Sequence, residues 1–288
     1  MDYMISATIE GQPIRLFAAD TTEMIRESQK IHGTSPTASA ALGRTMTAVA
    51  MMTMMLKSEK DKITAQIKGD GIAENILVVG NVKGELKADI YNPDIYIPLK
   101  ENGKLDVSSA IGKGTLTIIK DLGLKHPYIG TVEIVSGEIA EDFTYYFMAS
   151  EQVPSVVALG VLVNPDGSIE KAGGFIIQLL PGYSENLIEH IEKRITEVSS
   201  ITILLEEGKS LEEILLLLFD GYNVSFAEEK LVKYYCDCNK DRFERGLISL
   251  GSEEIKMIIE EQEKAEIKCH FCGKEYMFYK EDLEELLK

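Results

Sequence analysis

Cys236 and Cys238 lie one residue apart in KYYCDCNKD, and Cys269 and Cys272 form a CxxC in EIKCHFCGKEY. These are the chain's only four cysteines, and 30 residues separate the two pairs. Four thiolates suit tetrahedral Zn²⁺ and leave no open position for catalysis. Gly273, directly after the CxxC, allows the backbone to turn back toward the sulfurs. The spacing alone leaves iron–sulfur ligation, a thioredoxin-type redox pair or unligated thiols as alternatives. A thioredoxin-type pair sits between an early strand and a strong helix, a context that Cys269 lacks. His270 lies inside the CxxC but would compete with a complete sulfur set, so it is expected to point outward. His32, His126 and His190 are scattered without ligand spacing.

The CxC pair has a second physical property. Once a metal leaves, its two thiols are close enough to oxidise, and the small ring they would close is strained and therefore reversible. Because metal binding is folding free energy for a small unit, oxidation of the ligands would collapse that unit. No HExxH, GxSxG or phosphate-cradling loop with its lysine is present. The paired acids in helices read as solvated faces rather than as a general acid and base, and no catalytic residue is assigned.

The rest of the chain must position these thiols. Its 288 residues are 45% apolar and 27% charged, as in an ordinary folded protein, with a formal net charge of -17. That field repels phosphate backbones and anionic bilayers, so neither a nucleic acid nor a membrane is an expected partner. The first twenty residues mix charges and show no basic start before an apolar block. The longest apolar stretch, residues 45–56, is too short to span a bilayer. A cytoplasmic location is expected, where clustered thiols hold metal or sense oxidants more often than they form permanent disulfides.

The pattern predicts an α+β chain in three parts: a mixed α/β core over 1–180 with a mainly antiparallel sheet, a helical linker over 181–233, and a small four-cysteine zinc unit over 234–288. In the core, SPTASAALGRTMTAVAMMTMMLKSE reads as a long buried helix, with Ser35 as its cap and Pro36 in its first turn. KITAQIKG, ENILVVG, ELKADIYN, GTLTIIKD and TVEIVSG alternate polar with apolar between turn residues and read as antiparallel strands. A helix is expected in EIAEDFTYYFMASEQ, then a hairpin closed by NPDG. In the linker, Leu187, Ile188, Ile191, Ile195 and Val198 share one helical face. Ser210 and Glu213 can form a capping box for the next helix. That helix runs into ILLLLF at 214–219, which is apolar on every side and so is either buried between layers or conditionally exposed. The last unit is expected to hold a helix around SEEIKMIIEEQEK, strands in AEIKCHFCGKEYMFY and a terminal helix.

In this order, CDC, the 30-residue spacer and CHFC, joined with HGTSPTASAALGRTMTA at 32–48, YYFMASEQ at 145–152 and VNPDGSIEKAGGFIIQLLPG at 163–182, resemble the Hsp33 family across essentially the whole chain. The resemblance implies an ATP-independent holdase chaperone rather than an enzyme, with one Zn²⁺ per chain on Cys236, Cys238, Cys269 and Cys272 while reduced and inactive. It further implies that oxidation pairs Cys236 with Cys238 and Cys269 with Cys272 and ejects the metal. The linker then loosens, apolar surface is exposed to unfolding client proteins, and a homodimer forms. Asn239 and Asp241 depart from the serine and glutamate common in the family, which bears on tuning of the zinc site and not on its ligands. A constitutive zinc adaptor, or a nucleic-acid-associated zinc ribbon, is the competing expectation.

Overall fold

The computed structural model describes residues 1–198 and 200–287. Contacts divide the chain into two compact units, Met1–Tyr234 and Tyr235–Lys288.

The first unit opens with β1 (Tyr3–Ile9), β2 (Ile14–Asp20), α1 (Thr22–His32) and α2 (Pro36–Thr53). There follow β3 (Lys62–Gly69), β4 (Asn75–Asn81), β5 (Glu85–Ile90), α3 (Val107–Ile111), β6 (Gly114–Asp121), β7 (Tyr128–Glu133) and α4 (Ala140–Ala149). β8 (Ser155–Val163) and β9 (Ile169–Leu179) precede α5 (Glu185–Glu197), α6 (Ile201–Glu206) and α7 (Leu211–Leu218), and β10 (Val224–Leu231) and β11 (Lys233–Tyr234) end the unit. Strands assemble in the orders β10-β1-β2-β9-β8 and β11-β5-β4-β3-β6-β7. Every described pairing is antiparallel except β11 with β5. This is the α+β architecture expected from the strand pattern.

The methionine-rich helix α2 packs against strands of both sheets, and 16 of its 18 residues are buried. Core packing therefore accounts for its methionines. Small residues permit the close approach: a Cβ added at Gly43 would stand 2.9 Å from Val161 Cγ2 and 3.0 Å from Ile25 Cγ2. Pro36 opens the helix as expected, and Ser35 occupies the cap position. The Ser35 hydroxyl does not cap, however; it donates to the Ile95 carbonyl at 2.9 Å and accepts from the Ile95 amide at 2.9 Å, tying down the long 92–105 segment.

The NPDG turn closes the β8–β9 hairpin through Gly167 N–H to Asn164 O at 2.8 Å, with Gly167 at φ +88. Glycine is required there because the left-handed region is costly for other residues. In the five-stranded sheet alternate residues serve two cores. Met4, Phe17, Ala19 and Ile176 face the α2 side, while Ile5, Leu16, Ala18 and Ile177 pack with Leu187, Ile191, Leu204, Leu215 and Leu218.

The segment 181–233 carries the three helices α5, α6 and α7 and then returns to the sheet as β10, a strand the sequence pattern did not disclose. α7 carries the expected capping box between Ser210 and Glu213. Ile214, Leu215 and Leu218 are buried, whereas Leu216 and Leu217 are 46% and 36% exposed, so ILLLLF is apolar on a face that is already half open. Among the described residues, no helix is long and apolar enough to cross a membrane.

The second unit comprises α8 (Lys240–Leu250), α9 (Ser252–Gln262), the antiparallel hairpin β12 (Lys264–Lys268) and β13 (Glu275–Tyr279), and α10 (Lys280–Glu285). Its core is small, with Leu247, Ile255, Tyr276, Phe278 and Leu283 as the buried cluster. A unit of this size needs a further source of stability.

Candidate metal centre

The hairpin and one helix start position the four thiols. Cys269 follows β12 directly, and its N–H donates to the Lys274 carbonyl at 2.9 Å. Gly273 N–H donates to the Cys269 carbonyl at 2.8 Å, with Gly273 at φ +70, which folds the CxxC into a tight knuckle between the strands. The CxC enters from the other side, directly ahead of α8. Asn239 caps that helix by accepting from Arg242 N–H at 2.9 Å, and Asp237 pairs with Arg242 at 3.1 Å. Cys238 thus precedes a helix N-terminus, whose partial positive charge favours a thiolate.

All four Sγ atoms lie within 4.8 Å of one another. Cys236 Sγ is 3.7 Å from Cys269 Sγ, and Cys238 Sγ is 3.3 Å from Cys272 Sγ. A tetrahedral Zn²⁺ with Zn–S bonds of about 2.3 Å requires sulfur–sulfur edges of about 3.8 Å. The donor set and its dimensions fit such an ion. Among the described residues this is the one group of His, Cys, Asp and Glu side chains found able to hold a metal. His270, between two of the cysteines, is exposed.

Tyr276 completes the site, a role not read from the sequence although the residue stands in the same run. Its hydroxyl lies 2.9 Å from the Cys238 carbonyl and 3.2 Å from Cys238 Sγ, and its ring packs on Phe243 at 4.8 Å between centroids. The signal available beforehand was a tyrosine four residues beyond Cys272 on a strand that must run beside the knuckle.

The thiols are not equivalent. Burial, followed by the neighbouring Cys238 and Cys269 thiols, pushes the Cys236 thiol well up, and burial likewise raises that of Cys272. Burial also works against ionisation of Cys238. There, however, hydrogen bonds from Tyr276 and the neighbouring thiols prevail and hold it below the usual thiol value. Hydrogen bonding to Cys238 in turn holds the Tyr276 phenol protonated to unusually high pH. The CxxC sits in a hairpin turn rather than at the start of a helix, so the helix-terminus activation used by thioredoxin-type pairs is missing from it.

The model of the family described as "Hsp33 protein" matches residues 2–279. The chain belongs to the Hsp33 family. It is 52% identical over its whole length to a "33 kDa chaperonin" of Clostridium perfringens, covering 92% of that protein. It is 51% identical to one of Caldanaerobacter subterraneus, with 100% of this chain and 98% of that one aligned. The crystal structure of the 33 kDa chaperonin, an Hsp33 homolog from Thermotoga maritima, superimposes with a TM-score of 0.91 at 35% identity, over 99% of this chain and 97% of the other. Hsp33 proteins are redox-regulated, non-catalytic chaperones that bind unfolding clients, and the cysteine cluster is in keeping with that membership.

Proposed function

We propose that this chain is an ATP-independent holdase switched by its four cysteines. While they are reduced, Cys236, Cys238, Cys269 and Cys272 hold one Zn²⁺ and the protein is inactive. The observation that carries the reading is the convergence of a CxC and a CxxC on one point, in a unit whose buried cluster is five residues. When bound, zinc supplies that unit with folding free energy its core does not provide.

Each disulfide forms when two thiolates lose two electrons, so joining Cys236 to Cys238 and Cys269 to Cys272 transfers four electrons to an oxidant such as peroxide, which is reduced to water. Disulfide sulfurs no longer carry the negative charge that holds a cation, and the unit 235–288 loses its support. The linker, residues 181–233, continues directly into that unit and loosens with it. Departure of its helices α5, α6 and α7 bares the outer face of the sheet, where Ile5, Leu16, Phe175 and Ile177 are buried beneath them. An uncovered apolar face of this kind binds unfolded chains. Two activated chains form the working homodimer in the cytoplasm, and neither a membrane nor a nucleic acid takes part.

Peroxide titration with zinc release read by a chromophoric chelator, alongside peptide mapping of the disulfides, tests the switch. One zinc released per chain together with the two intra-motif disulfides supports it. Retention of zinc through cysteine-oxidising conditions supports a constitutive adaptor instead.

A further inference from the structure

Helix α7 is firmly held at its start. Its capping box is complete, Leu211 N–H donates to the Tyr3 hydroxyl at 3.1 Å, and that hydroxyl lies 3.2 Å from Glu212. At its other end the last carbonyls have no helical donors, as at any helix terminus. Two side chains of α5 reach them. Arg194 directs both Nε, at 3.1 Å, and Nη2 to the Leu217 carbonyl. His190 Nε2 is 3.1 Å from the Leu218 carbonyl, which can only accept, so this nitrogen carries the proton. The His190 ring lies against Phe219 at 6.0 Å and Tyr222 at 4.8 Å, and Glu197 steadies Arg194 at 3.3 Å.

The apolar seating of α5 is poorer. Of its four apolar-face positions only Leu187 and Ile191 are buried. A cavity of about 120 Å³ lies beside Ile188 and Ile191 over Val156 and Ile177. Another of about 110 Å³ lies beside Ile195 and Val198 over Phe175 and Leu218. These clefts, partly open to solvent, leave one side of each lining residue without a packing partner, so packing alone specifies the position of α5 weakly.

We infer that Arg194 and His190 form an autoinhibitory clasp: by capping α7 they lock α5 over the sheet, and this polar lock sets how readily the covering helix leaves. The inference rests on the holdase reading and adds to it the residues that set the threshold of release.

The test compares wild type with the double variant Arg194→Met, His190→Phe, both reduced and zinc-loaded, by hydrogen exchange and by suppression of client aggregation. Methionine and phenylalanine keep bulk and ring stacking but donate nothing. Exchange across 185–197 is expected to rise about tenfold or more, as several hydrogen bonds are lost at once. With zinc retained, the reduced variant is expected to protect clients as oxidised wild type does. Unchanged exchange, or raised exchange in a reduced variant that protects nothing until oxidised, overturns the clasp and leaves the holdase reading standing. Wild type that protects in neither state fails the holdase reading itself. Should the double variant not fold, Arg194→Lys, which keeps the charge but not the fork, is expected to show intermediate exchange, and wild-type exchange in it overturns the clasp.

Discussion

The hydroxyl of Tyr276 stands 3.2 Å from Cys238 Sγ and 2.9 Å from the carbonyl of the same residue. One side chain on β13 thus fixes both the sulfur and the backbone of a cysteine that arrives from the far end of the unit. Groups that orient a ligand in this way tune a metal site from outside its donor set.

Tyr276→Phe removes this donor while keeping the ring packed on Phe243. Zinc affinity measured by chelator competition is expected to fall roughly 10–100-fold, as for other outer partners of metal ligands. An unchanged affinity would mean that the knuckle alone orients Cys238.

Removing the metal probes the second unit separately. Its buried cluster of five residues is too small to hold some fifty residues folded unaided. A chelator under reducing conditions is expected to make residues 235–288 susceptible to limited proteolysis while the core of the first unit resists. Equal resistance of both units after zinc removal would contradict the stabilising role given to the metal.

Gly43 tests the close packing of α2. An alanine there places its Cβ 2.9 Å from Val161 Cγ2, and Val161 is itself stiff at χ1. Gly43→Ala is expected to lower stability by about 1–3 kcal/mol in urea unfolding, the usual cost of overpacking. A neutral or stabilising effect would show that β8 yields to the helix.

Asp2 gives a pH dependence with a definite sign. Its carboxylate, 5% exposed, accepts from Glu23 N–H at 3.0 Å and Met24 N–H at 2.7 Å, capping α1 in place of Thr21, whose hydroxyl is paired with Thr47. Burial outweighs those bonds and, with Asp20 and Glu23 nearby, raises the acid to about 6 from an ordinary 3.8. The folded state therefore holds this proton more tightly than the unfolded one. Its contribution is greatest below pH 4 and is lost as pH climbs to about 6, by up to about 3 kcal/mol. Asp2→Asn is expected to remove that component of the slope when denaturation midpoints are compared between pH 4 and 7. Parallel profiles for the two proteins would count against it.

Local chemistry made part of this structure readable in advance. The thiols, the NPDG hairpin, the Ser210–Glu213 capping box and the burial of α2 all leave marks within a few residues. β1 carries a short alternation, ISATI, over Ile5–Ile9 that was not read, and β2 and β10 leave none. β2 is buried on both faces from Leu16 to Ala19 and lacks a clean alternation. β10, VSFAEEKL, pairs with β1 more than 200 positions away, and its exposed charges read as loop. Such charges are also what an edge strand uses to refuse further pairing. Ser35 was legible as a cap by type, but a long-range bond to Ile95 claims its hydroxyl. Likewise, the part played by Tyr276 depends on which strand lies beside the knuckle, which spacing alone does not disclose.

In the proposed switch, thiol oxidation turns a silent protein into one that holds unfolding chains. Light scattering from a heat-aggregating client at mildly elevated temperature, without ATP, measures this most directly, with the reduced, zinc-loaded protein set against the peroxide-treated one. Protection is expected only after oxidation. Equal protection in both states, or none in either, would contradict it.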